Sequence, residues 1–233
     1  AAMSVVGFAP RWFRPTRQGV VIAAREGAAM LFNMLPGQTF FRVQIALSGI
    51  FLGSAATALL LYARQITAAV SQLIGFLRRV EFPHLVQSLR ASPLKPLGTI
   101  FRTQRVGTLV AGVASAALLL GGLATFVIAP TTDFSEAGLA VALYSPGVFT
   151  GAIYLTLSQG GLALARFRSV ALATTLGMVA GIAVSGVAPI WIGIAGFALA
   201  EIVQHLLGGG WLWRGLSRYS STASAASEKG ISA

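Results

Sequence analysis

The chain of 233 residues contains no cysteine, only six acidic residues and two histidines. Without cysteine there is no disulfide framework and no thiolate metal site. With so few carboxylates, the acidic pairs by which a membrane prenyl or glycosyl transferase holds magnesium are missing, and no His, Asp or Glu cluster has ligand spacing. No glycine-rich phosphate loop follows a strand. The chain therefore reads as a non-enzyme with no metal and no cofactor. Charge of either sign is scarce as well: charged residues make up 10%, where a soluble domain has about 25%.

What fills their place is apolar. Hydrophobic residues reach 55% and the mean hydropathy is +0.78, which describes an integral membrane protein. A membrane span needs about 20 predominantly apolar residues, and six segments qualify, at 28–51, 55–78, 106–129, 138–162, 170–190 and 193–214. The expected fold is an all-α integral membrane protein with a six-helix transmembrane bundle over 28–214. Residues 1–9 run straight into Arg11-Trp12-Phe13-Arg14, so 1–27 reads as the end of a truncated preceding helix followed by a basic link. The small polar tail 215–233 reads as disordered.

The net charge of +11 would suggest nucleic acid in a soluble protein, but its distribution here gives another explanation. Lys and Arg concentrate on the inner side of membrane proteins. With the basic links 10–27, 79–105 and 165–169, the tail, and the span ends at Arg78 and Arg214 placed there, all but two of the 17 basic residues fall inside. Asp133 and Glu136 then lie in the outer turn 130–137. Both ends of the bundle are cytoplasmic in this reading, and no nucleic acid is needed.

The two exceptions are Arg42 and Arg64, both within spans. A charge at the centre of a bilayer helix costs about 2.5–3.5 kcal/mol on insertion scales, so each should face a partner, a water-filled cavity or an anionic ligand. Arg64, Ala68, Ser71, Gln72 and Gly75 recur on one helical face, a polar and small stripe suited to a cleft. Gln38 and Arg42 share a face of the first span, with Asn33 and Gln44 as further polar groups. Glu201, Gln204, His205 and Gly208 form a comparable face of the last. A guanidinium pairs bidentately with phosphate oxygens, so Arg42 and Arg64 are candidate diphosphate ligands, with Gln38, Ser71 and Gln72 lining the cavity. Glu201 and His205, one turn apart, are candidates for carrying a coupling proton or cation. The bland alternative pairs Glu201 with one arginine and packs His205 as an ordinary side chain. Small residues at four-residue spacing predict close helix contacts: Gly107, Ala111 and Ser115; Gly147 and Gly151; Gly177, Gly181 and Ser185. His84 reads as a surface residue.

Two stretches resemble a known family. The first, LGSAATALLLYARQITAAVSQLIGFLRRVEFPHLVQSLR, carries Gly53, Tyr62-Ala63-Arg64 and Phe82-Pro83. The second, ALARFRSVALATTLGMVAGIAVSGVAPIWIGIAGFALAEIVQHLL, carries Arg166, Arg168, Pro189, Gly193, Gly196 and Glu201. Both are similar to the C-terminal half of polysaccharide and lipid-linked oligosaccharide flippases, of O-antigen or capsule type, in the multidrug/oligosaccharidyl-lipid/polysaccharide superfamily. The resemblance implies one half of a twelve-helix flippase fold in the bacterial inner membrane. Its partners would be membrane lipids, an isoprenoid-diphosphate-linked sugar and an N-terminal six-span half. Many members carry an acidic residue in the seventh span, where this chain has Arg42. Two other readings compete: a cation-coupled drug antiporter of the same superfamily, and a non-transporting scaffold of a polysaccharide-synthesis complex.

Overall fold

The computed structural model describes residues 16–92, 95–130 and 133–228, and every element among them is helical. These are α1 (Arg17–Ala91), α2 (Pro96–Thr103), α3 (Arg105–Ile128), α4 (Asp133–Ala163), α5 (Phe167–Ile192) and α6 (Ile194–Glu228). Residues 1–15 and 229–233 lie outside the described residues, as do the side chains of Arg25 and Asn33.

α1 is two limbs, not one rod. Helical backbone fails at Gly53, where φ is 80° and ψ is −175°, a region open in practice to glycine alone. A straight helix rises about 1.5 Å per residue, which would put residues 44 and 64 about 30 Å apart. Instead Arg64 Nη2 donates to Gln44 Oε1 at 2.5 Å, and Ser48 Oγ lies 3.1 Å from Thr57 Oγ1. The limbs 17–52 and 54–91 therefore fold back on each other. Replacing Gly53 with alanine puts a Cβ on that backbone and should cost about 1–3 kcal/mol, read as a fall in the thermal midpoint in detergent. Gly193, with φ at 55°, makes the second reversal. Across it Gly177 of α5 meets Gln204 of α6, where a Cβ would sit 2.6 Å from the Gln204 carbonyl oxygen.

α3 packs along α4 and α5 along α6, while α1 crosses α4 and α5. The small-residue stripes sit at these seams. Ser115 donates to the Ser145 carbonyl at 2.7 Å, and a Cβ on Gly181 would come within 2.7 Å of the Phe40 ring. Two apolar clusters close the bundle at opposite ends. Leu85, Leu89, Ile100, Leu157, Val170, Leu212 and Leu216 join the second limb, α2, α4, α5 and α6 at one end. Leu60, Ala140, Tyr144 and Phe197 fill the other. Arg79, Arg90, Lys95, Arg102, Arg105, Arg168, Arg214 and Arg218 are exposed around the first cluster, so one end of the bundle is basic.

Four helical stretches are long and apolar enough to cross a membrane: Leu35–Ala91, Arg105–Ile128, Phe134–Ala163 and Phe167–Ile192. Large apolar side chains face outward along them, Ile128 at 81% exposure and Trp191 at 82% among them. Such a surface suits lipid, and the protein is a multi-pass membrane protein.

The elements also depart from the sequence-based expectation at several links. Residues 17–27, read as a basic link, are the start of α1. The expected loop 79–105 is helix up to Ala91, through Pro83, and then α2. Pro96 starts α2 at a position where its missing N–H is not needed, and Pro96, Thr99 and Ile100 are buried on its inner face. These contacts hold as helix what composition alone describes as a charged connection. The break expected between the spans 170–190 and 193–214 falls at Gly193, with Pro189 inside α5. The tail, read as disordered, continues α6 as far as Glu228.

Candidate functional site

Between the two apolar clusters the helices leave a cleft of about 340 Å³. Arg64, Thr67, Ala68, Ser71 and Ile74 of the second limb form one wall. α4 supplies Gly147, Val148, Gly151, Ala152, Tyr154 and Leu155, and α6 supplies Glu201 and His205. Ala68 and Ser71 are exposed, so the mouth opens beside them. At about 300–1,000 Å³ for typical ligand sites, this one has room for a headgroup and not for a whole glycolipid.

Arg64 dominates its electrostatics. The same Nη2 that donates to Gln44 lies 3.1 Å from Glu201 Oε2. Gln44 is itself fixed: its amide nitrogen donates to Ser185 Oγ at 3.2 Å and to the Phe197 carbonyl at 3.1 Å. Only its oxygen is left to face the guanidinium. Three rings surround the Arg64 Cζ, at 5.1 Å for Phe41 and 5.7 Å for both Phe40 and Tyr144. Cation–π attraction of this kind strengthens as water is excluded. The ion pair is close without being aligned for hydrogen bonding. Arg64 Nε and Glu201 Oε2 are both buried with no hydrogen-bond partner, so each holds unspent bonding capacity within the site.

α4 provides the floor on which Glu201 and His205 lie. A Cβ at Gly147 would stand 3.3 Å from Glu201 Cδ, and one at Gly151 would stand 2.9 Å from His205 Cε1. The imidazole stacks on Tyr154 with centroids 5.9 Å apart. Its Nδ1 lies 3.3 Å from Thr150 Oγ1, while that hydroxyl donates to the Pro146 carbonyl at 3.1 Å. When the hydroxyl gives its proton to that carbonyl it accepts from the ring, in the tautomer with the proton on Nδ1 and Nε2 as the basic nitrogen.

The residues expected from the sequence separate into two groups. Arg64, Ser71, Glu201 and His205 come together around the cleft. Arg42, Gln38 and Gln72 do not: all three are exposed and none lines it. The cause is helix phase. Phe40, Gln44 and Ser48 are the buried stripe of the first limb, and at 100° per residue Arg42 lies on the opposite side. Arg42 has no hydrogen bond or ion pair among the described residues. Gln204 also leaves the shared face expected for α6 and packs on Gly177 and Gly181 of α5. His84 is exposed, as expected.

A third cation was missed. Arg78, read from the sequence as the cytoplasmic end of the span 55–78, is fully buried one turn beyond Ile74 at the basic end of the cleft. Its Nη1 donates to Gln104 Oε1 at 3.1 Å and to Thr156 Oγ1, and its Nη2 lies 3.4 Å from Thr108 Oγ1. Gln104 in turn donates to Gln159. Glu81 and Arg78 flank Gly107, where a Cβ would meet Glu81 Oε2 at 3.2 Å and Arg78 Cγ at 3.3 Å. Glycine here lets a carboxylate and a guanidinium pass close against α3. Also missed was the α4 wall, although Tyr144, Gly147, Gly151 and Tyr154 at i, i+3, i+7 and i+10 carry a legible helical face.

No protein-family model, curated protein or solved structure matches this chain.

Proposed function

We propose that the chain is the C-terminal six-span bundle of a flippase that moves an isoprenoid-diphosphate-linked oligosaccharide or polysaccharide precursor across the bacterial inner membrane by alternating access. In this reading the two limbs of α1, then α3, α4, α5 and α6 are the six spans. The observation that carries it is Arg64: a guanidinium in a membrane-embedded cleft, ringed by aromatics, with a free donor and a poorly aligned counter-charge. Such a group is suited to receive phosphate oxygens. The small cleft fits a diphosphate, and the rest of the glycolipid would lie against an N-terminal half or the lipid. Arg42 and Gln38, on the bare outer face of the first limb, are positioned for that half. The basic end faces the cytoplasm by the inside preference of Lys and Arg.

The competing readings find less support. A drug antiporter needs Glu201 free to attract a cation, and Arg64 already faces it. A scaffold needs no cleft, and a cleft is present. Vesicles carrying the protein should expose a fluorescent isoprenoid-diphosphate sugar to a quencher on the far side faster than protein-free vesicles, and should leave a cationic dye unmoved. Equal exposure in both preparations would overturn the flippase reading.

A further inference from the structure

Glu201 and an incoming anion must share one cation. Among the described residues, the first limb brings Phe40, Phe41 and Gln44 toward the guanidinium and no charge. The second limb brings Arg64 alone. α4 brings the neutral hydroxyls of Tyr144 and Tyr154, α5 brings Ser185 and Thr174 nearby, and α6 brings Glu201 and His205. One positive and one negative group thus face each other across 3.1 Å, with the His205 imidazole one turn away. From this geometry we propose that an anion binding at Arg64 displaces Glu201, and that the displaced carboxylate takes up one proton, so that anion and proton bind as a unit. The inference rests on Arg64 being the anion site.

The physics is that of two like charges in one partly buried place. A carboxylate beside a cation holds its proton weakly, whereas the same carboxylate beside a diphosphate and robbed of that cation holds it strongly. On one side α4 lies against the Glu201 side chain at Gly147, so the displaced carboxylate stays beside the bound anion. The proton comes from water through the mouth beside Ala68 and Ser71, converting carboxylate to carboxylic acid with no other bond made or broken. His205 Nε2 is the other acceptor within the cleft, and the variants separate the two.

The test is calorimetric titration of the purified protein in lipid nanodiscs with geranyl diphosphate. Near pH 8 the diphosphate has already lost its last proton, since phosphate second pKa values lie near 6. Proton uptake is read from the dependence of the heat on buffer ionisation enthalpy. The wild type should take up about one proton per ligand, and its affinity should fall about tenfold per pH unit. Glu201→Gln should bind more tightly and take up none, while His205→Gln, whatever its affinity, should still take up about one proton per ligand. Ligand binding by the wild type with no proton uptake overturns the linkage and leaves Arg64 as the anion site. Uptake lost in His205→Gln and kept in Glu201→Gln overturns it too, by moving the acceptor. If neither the wild type nor Glu201→Gln binds the diphosphate, the anion site itself is refuted, and the linkage with it. Should Glu201→Gln fail to fold, the proton counts of the wild type and of His205→Gln together decide.

Discussion

Arg78→Ala should destabilise the bundle by about 3–5 kcal/mol, the range measured when a buried charge network loses a member. The side chain is fully buried and ties the second limb of α1 to Gln104 before α3 and to Thr156 of α4. Removing it leaves Gln104 Oε1 without its donor, takes away the guanidinium that lies with Glu81 against Gly107 and opens a void at the seam of three helices. Each stranded buried polar group costs about 1–3 kcal/mol. Arg78→Met fills the void while leaving the polar groups stranded, so it should lose less than Arg78→Ala. Arg78→Lys keeps charge but lacks the fork that reaches both Gln104 and Thr156. Unfolding midpoints of the three variants in one detergent check the ranking. A loss under 1 kcal/mol for Arg78→Ala would mean that the network holds nothing together.

Arg64→Ala should reduce transfer of a diphosphate-linked sugar by about 100-fold or more, since a charge-assisted contact to a phosphate is worth about 1.5–3 kcal/mol and a bidentate one more. Arg64→Lys should recover part of the rate, because a point charge attracts phosphate without the fork. Arg42→Ala should change it by less than about threefold when only this bundle's cleft is considered, because Arg42 lies on the opposite face from Gln44. The contrast between the two arginines, measured in the same vesicle assay, is the sharpest reading of the site. Unimpaired transfer by Arg64→Ala would remove the anion role. A loss in Arg42→Ala as large as in Arg64→Ala would place Arg42 in a second cleft wall supplied from outside this bundle.

Particular residues show how far the sequence reaches. Gly53 lies in the gap between the expected spans 28–51 and 55–78, and the helix breaks there. The stripes Gly107/Ala111/Ser115 and Gly177/Gly181/Ser185 marked seams, because small residues matter only where a backbone approaches, and those seams exist. Arg64, Glu201 and His205 were legible because ionisable groups inside apolar helices are costly. Arg42 met the same criterion and lies elsewhere. Arg78 failed it and is buried.

Composition and local patterning by themselves determined that the chain is helical and membrane-embedded, and where its apolar segments lie. They act through backbone hydrogen bonding and transfer from water, which each segment undergoes without its neighbours. Only the tertiary structure decided which way each helix turns about its axis. These helices are apolar on most sides, and their stripes of small and polar residues narrow the choice of inward face without fixing the rotation. The contacts of Gln44 with Ser185, Glu201 with Arg64, and Arg78 with Thr156 set the rotation, and each joins residues far apart in the chain.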